Sequence, residues 1–459
     1  MYMSVVGDSI TNFQQTSLFS LLWQKIAEDP SRLITTCIFL CAVLHTFFCS
    51  KFSTKARQLE QANRNSYKVS IFHWLGEVEV IFGLWLIPLL VSLIYFKGWH
   101  TAVQYFTTRN YTEPIFVCVV MMIAATRPVL CIAERFIRLA VNCLGGERPS
   151  TWWFCILIIA PLFGSLITEP AAMTIAALLL SHKVFVYKPN AWFSYATIGL
   201  LFVNVSIGGT LTHFAAPPIL MVANTWHWTT GYVFSHFGIK TIISVITSST
   251  LYLLLFAAHL HTLNKRAKIE PLSSQNEQKL PLGIILTHVV FLAWTVFNSH
   301  HTVFVVFGGL LFLMVVQIFK RYQSPIALKE SLLVGCFLAG LVTHGGLQTW
   351  WIETILSRLN DVCLFYGSVI LTAFNDNAAL TYLASLVPAF GNNFQLQSAV
   401  VSGAVIGGGL TVIANAPNPA GQSILSKFFA HNTIKPVPLC IGALIPTVTT
   451  IYIFRHLLA

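Results

Sequence analysis

The chain alternates long apolar blocks with short polar ones. Ten blocks read as membrane-spanning helices: 33–50, 71–97, 113–132, 191–224, 238–259, 281–297, 301–319, 331–345, 398–425 and 434–455. A span takes about 20 mostly apolar residues. Two further blocks, 151–181 and 361–388, are interrupted midway by Thr168-Glu169-Pro170 and Asn375-Asp376-Asn377. At 31 and 28 residues they are too short for two spans of about 20 each. Each therefore reads as a re-entrant hairpin, because broken backbone at membrane depth survives only where protein or water satisfies it. Ahead of the first span, Thr11 to Glu28 mixes Gln, Ser and Lys with Phe, Leu and Trp. It reads as an interfacial amphipathic segment without the basic start of a secretory signal.

Composition supports this picture. Of the 459 residues 55% are hydrophobic and 9% charged, and the mean hydropathy is +0.71. A soluble surface takes roughly a quarter of charged residues, so most of this surface faces lipid. Ten scattered cysteines include no C-x-x-C pair, which offers neither a zinc site nor a disulfide framework. The net charge of +11 could point to nucleic acid, but its placement argues otherwise. With spans alternating and hairpins returning to their own side, loops 51–70, 133–150, 182–190, 260–280, 320–330 and 426–433 share one side. With Lys435 at a span edge, they carry 19 of the 27 Lys and Arg. Basic loops stay cytoplasmic, which places the termini outside and leaves no nucleic-acid partner.

The blocks also repeat. Residues 33–259 hold three spans, hairpin 151–181, an interrupted helix at 191–224 and a last span. Residues 281–459 hold the same order, with hairpin 361–388 and interrupted helix 398–425, and 260–280 links the two. Five crossings is an odd number, so the second unit lies upside down. The expected fold is an all-α membrane protein of two inverted repeats, the signature of secondary transporters. Sequence echoes this: Glu169-Pro170-Ala171-Ala172-Met173-Thr174 pairs with Asp376-Asn377-Ala378-Ala379-Leu380-Thr381. The breaks Gly208-Gly209-Thr210-Leu211-Thr212 and Gly407-Gly408-Gly409-Leu410-Thr411 pair likewise, each followed by a proline, Pro217 or Pro417.

Glycine and proline inside an apolar span unwind it. Freed carbonyls at Gly208, Gly209, Gly407, Gly408 and Gly409 could then face a cavity, as hard oxygen ligands for a cation such as sodium. Thr168, Thr210, Thr212, Asn375, Asn377 and Asn415 add polar groups at similar depth. Close helix packing is the plainer explanation for any one glycine. Glu169 and Asp376 are the sharper candidates. A charge at the bilayer centre costs at least ~2.5–3.5 kcal/mol and is functional by default. The plainer role is capping the second half of each hairpin. His213 titrates near neutral pH if exposed, although a hydrogen-bonded core histidine fits equally. Glu77 and Glu79, beside His73 and Trp74, read as interfacial. His300-His301 and His259-x-His261 read as loop-edge residues, not metal ligands, and Arg127-Pro128 as the end of its span.

At these motifs the chain resembles the ion transporter superfamily of arsenite permeases, divalent-anion/sodium symporters and sodium/proton antiporters. Gly76-Glu77-Val78-Glu79, Ala125-Thr126-Arg127-Pro128 and Asn415-Ala416-Pro417-Asn418-Pro419-Ala420-Gly421 make it most similar to a bacterial inner-membrane sodium/proton antiporter family. The resemblance implies a homodimer with a scaffold domain and a moving transport domain, working as an elevator. Dicarboxylate symporters of the superfamily carry Ser-Asn-Thr at both tips. Here Thr168-Glu169-Pro170 and Asn375-Asp376-Asn377 place acids there, which would repel an anion. The reading is thus sodium or lithium exchange for protons, with no cofactor and no metal beyond the transported alkali cation. A sodium-coupled carrier of a small dicarboxylate-like or arsenite-like anion is the alternative. No H-E-x-x-H, G-x-S-x-G or phosphate-binding loop suggests an enzyme. An ion channel also uses midplane polar residues, but inverted hairpins point to alternating access.

Overall fold

The computed structural model describes residues 18–62, 67–269, 280–322 and 326–457. Among these residues every regular element is a helix. Six helices are long and apolar enough to cross a membrane, or up to nine if each of three bent pairs is one span. Their outer faces carry large apolar side chains such as Tyr95, Phe297 and Val303, which are 83%, 85% and 78% exposed. Such a surface is stable against lipid and not against water. The chain is a multi-pass membrane protein.

Most expected blocks coincide with helices, and the differences have local causes. The block expected as one span at 71–97 is three helices, Tyr67–Gly76, Val78–Leu84 and Leu86–Lys97. Glu77 sits between the first two in extended backbone, φ −87° and ψ 114°. At Thr126-Arg127-Pro128 the helix Thr112–Ala124 ends as expected, but Arg127–Cys143 continues at 67° to it. Two short helices, Trp99–Thr107 and Thr349–Leu356, were not legible in the hydropathy. The N-terminal segment is helical over Leu18–Glu28, exposes Phe19 and Trp23, and donates Lys25 Nζ to Trp350 O at 3.1 Å. Its residues 11–17 lie outside the described residues. The expected linker 260–280 begins inside helix Ala257–Ile269, so His259 and His261 are helical, not at a loop edge. Residues 270–279 again lie outside the described set.

Each interrupted block is a pair of helices. The first hairpin pairs Pro149–Ile167 with Glu169–Lys183, and the second pairs Asp361–Phe374 with Asn377–Ser385. The first is longer than its sequence block. Pro149–Ile167 and Glu169–Tyr187 are 19 residues each, about 28 Å at 1.5 Å per residue. Length alone therefore does not make it re-entrant. Two full crossings would leave the sidedness of the later loops unchanged. The first interrupted helix is Ala191–Gly208 followed by Pro217–Ala223, and the second is Phe394–Gly407 followed by Asn418–Leu425. Asn190 and Asn393 start them, their side chains accepting from Phe193 N at 2.8 Å and Leu396 N at 3.2 Å.

Packing ties the four interrupted elements into one centre. The second arm of each hairpin lies against the far half of the other interrupted helix. Glu169–Lys183 packs on Asn418–Leu425, and Asn377–Ser385 packs on Pro217–Ala223. Helix Val78–Leu84 and helix Leu328–Gly345 pack together beside this centre. Their approach is close: a methyl group on Gly340 would stand 2.6 Å from the carbonyl carbon of Phe82.

Candidate functional site

Both hairpin tips reach the helix breaks. The Glu169 side chain is fully buried. A methyl group on Gly209 would lie 2.7 Å from its Oε1, so Glu169 fills the notch left by a glycine. The second tip does the same with Asn377, whose Nδ2 lies 2.8 Å from where a Gly408 methyl group would be. Asn377 N also donates to Ala414 O at 3.1 Å.

These contacts correct the pairing of the two tips read from sequence. Thr212 Oγ1 donates to Ser165 O at 2.7 Å, and Thr411 Oγ1 donates to Ala373 O at 2.7 Å. Gly208 abuts Pro161 O just as Gly407 abuts Val369 O. In each case the hairpin positions differ by 208 (165 to 373, 161 to 369) and the helix positions by 199 (212 to 411, 208 to 407). On that spacing Glu169 corresponds to Asn377, and Thr168 to Asp376. Matching acid to acid slips the register by one residue. The physical reason is the cap. Asp376 is the N-cap of its helix, whereas Thr168 is the N-cap and Glu169 the first helical residue of the other.

The slip gives the two acids different surroundings. Asp376 Oδ1 accepts from Ala378 N at 2.9 Å and Ala379 N at 3.2 Å, so the capping role holds for this residue. Glu169 makes no cap bond. Its Oε2 accepts from Asn415 Nδ2 at 2.8 Å, and its Oε1 is buried without a partner. Thr168 beside it has φ 77°, and its hydroxyl is also buried and unpartnered. A β-branched residue rarely adopts this backbone, and such strain collects at functional sites.

Asn415 belongs to both neighbourhoods. Besides bonding Glu169, it lines a cavity of ≈ 20 Å³ whose wall includes Asp376, Glu79, Val334 and Phe337. Glu79 was expected at the interface; the structure brings it to Asp376. The available signal was Gly76-Glu77, which restarts the helix and turns Glu79 inward. Glu77 is half-buried, its Oε1 2.7 Å from Lys329 Nζ and its Oε2 buried without a partner.

Other expected site residues point elsewhere. Thr210 Oγ1 donates to Ile207 O at 2.8 Å and meets Thr241 Oγ1. Thr212, as above, is bonded to the hairpin. The carbonyl of Gly208 accepts from Ser165 Oγ at 2.6 Å and that of Gly408 from Asn418 Nδ2 at 2.8 Å. These carbonyls are held by side chains and do not face the cavity. Pro217 starts its helix half, while Pro417 caps Asn418–Leu425. Asn375 is half-buried at the end of its arm. His213 Nδ1 bonds Thr230 Oγ1 at 2.6 Å, and its ring stacks 6.2 Å from that of His300. Its contacts are with the Thr230 turn and not with either carboxyl. Among the described residues no group of three or more His, Cys, Asp or Glu could hold a metal ion by geometry.

Residues 31–457 match the model of a family described as "Putative Na+/H+ antiporter". The chain belongs to this family. The match runs through both hairpins and both interrupted helices. No individual curated protein matches the chain. As a member of an antiporter family, the chain is placed among cation/proton transporters.

Proposed function

We propose that this chain exchanges sodium or lithium for protons by alternating access, with Glu169 and Asp376 as the exchanging carboxyls. One observation carries the reading. Two buried acids, one from each hairpin tip, flank Asn415, which bonds Glu169 and lines the cavity beside Asp376. Each acid stands at the start of a helix, the positive end of its dipole. The protein's own carboxyls thus occupy the places where an anionic substrate would bind, which favours a cation.

Asn415 offers a physical route for coupling. An ionised Glu169 accepts only, so the amide must turn Nδ2 toward it and Oδ1 away. A protonated Glu169 can donate a hydroxyl to Oδ1, and the amide can then turn over. What Asn415 shows to Asp376 thereby depends on the proton at Glu169.

The duplicated contacts, at spacings of 208 and 199, support two repeats of one design. With five crossings per repeat, the second is inverted. The first repeat spans 33–259 and the second 281–459, with the basic loops cytoplasmic, the termini outside and the protein in a bacterial inner membrane. The superfamily resemblance adds a homodimer and an elevator motion. In liposomes holding the purified protein, an imposed pH gradient is expected to drive sodium or lithium uphill. Accumulation of a dicarboxylate instead, with no cation movement against the gradient, would replace this reading with anion transport.

A further inference from the structure

We propose that Glu79 is a direct ligand of the transported cation, completing with Asp376 and the Asn415 amide oxygen a site between two groups of helices. The inference rests on the cation/proton reading and names a ligand that reading does not use.

The cavity of ≈ 20 Å³ has room for about one water-sized sphere. That suits a single small cation and is too small for a dicarboxylate in this arrangement. Its polar wall is made of acceptors. Asp376 accepts the two cap bonds on Oδ1, which leaves its second oxygen, near the Ala416 backbone N–H, as the one able to reach a ligand. Asn415 is 1% exposed, and its Nδ2 is held by Glu169. Its Oδ1 has no partner. A buried carbonyl oxygen without a donor costs about 1–3 kcal/mol, and here it shares a cavity with two carboxyls. Hard oxygen ligands converging on a space of this size suit a weakly polarisable cation. The charged groups near the pair are Glu169 beside Asp376, and Glu77 with Lys329 beside Glu79.

The ligands come from two different packing groups. Asp376 and Asn415 belong to the hairpin tip and the second break. Glu79 lies on Val78–Leu84, which packs on Leu328–Gly345, and Val334 and Phe337 of the latter line the same cavity. A cation held by both groups braces them together, so Glu79 engages it only while they are in this arrangement. Glu79 then sets affinity on one side of the transport cycle.

The test is a sodium and lithium titration of the full-length purified protein, read as thermal stabilisation against choline chloride. Variants are Glu79→Gln, Glu79→Asp and Asp376→Asn. The expected result is a sodium midpoint raised at least about tenfold in Glu79→Gln, equivalent to about 1.4 kcal/mol. Glu79→Asp should keep binding but change the sodium-to-lithium ratio, which a purely structural carboxyl would not do. A Glu79→Gln midpoint equal to wild type, with binding lost in Asp376→Asn, overturns the proposal and leaves the antiporter reading intact. Should Glu79→Gln fail to fold, unchanged affinity and ion ratio in Glu79→Asp overturns it as well. If the wild type responds to neither cation, the proposal and the reading beneath it fall together.

Discussion

Glu169→Gln is expected to abolish cation-driven proton movement while leaving the protein folded. The replacement conserves volume, and its amide oxygen can still accept from Asn415 Nδ2, the bond now made at 2.8 Å. What disappears is the group that can gain and lose a proton. Exchange in proteoliposomes should fall to the level of protein-free vesicles. Sodium-dependent thermal stabilisation should stay within a few-fold of wild type, because Glu169 is not in the wall of the Asp376 cavity. Full exchange in this variant would remove Glu169 from the mechanism and leave it a buried polar residue.

Gly409→Ala carries the largest expected structural effect. A methyl group there would overlap the Cα of Val203 and stand 2.6 Å from its backbone nitrogen. No side-chain rotation relieves a clash between backbones. Overpacking of this kind costs about 1–3 kcal/mol, and the shift would part the two interrupted helices at the level of the site. Reduced melting temperature and greatly reduced exchange are expected together. Gly367→Ala is the control: it lies inside the apolar helix Asp361–Phe374, whereas Gly409 lies in the turn after Gly407, and nothing stands within 4 Å of the methyl group added at Gly367. Its melting temperature and transport should stay near wild type. Equal losses at the two positions would show that the close crossing at Val203 is not what destabilises Gly409→Ala.

The legible part of this protein was whatever hydropathy and backbone breakers encode locally. Gly208-Gly209 and Gly407-Gly408 lie at helix ends where the hairpin arms and tips pack against them, and Pro217 restarts one helix. Those signals sit in a few adjacent residues, so sequence reading found them. The repeated order of hairpin and break was legible for the same reason.

What failed depended on contacts across the fold. Glu169 and Asp376 match by residue type, but the caps and the glycine notches align Glu169 with Asn377. A one-residue offset at a helix start changes which side chain meets the backbone N–H groups, and no local pattern records it. Glu79 was missed because its neighbours His73 and Trp74 suggested an interface. Only the break at Glu77 and the packing of Val78–Leu84 on Leu328–Gly345 carry it to Asp376. The threonines at 210 and 212 were plausible ligands by depth, yet nearby carbonyls claim their hydroxyls.

The most direct test of cation/proton exchange is a pH-gradient dequenching assay in everted membrane vesicles, on wild type and Asp376→Asn. Sodium, lithium, potassium and a dicarboxylate would each be added in turn. Asparagine caps helices as well as aspartate does, so this variant keeps the bonds to Ala378 and Ala379 and loses only the charge. The expected result is dequenching by sodium or lithium in wild type that is absent in Asp376→Asn. Dequenching of equal size in both would contradict a cation site at the second hairpin tip. No response to any cation, with a response to the dicarboxylate, would contradict cation exchange itself.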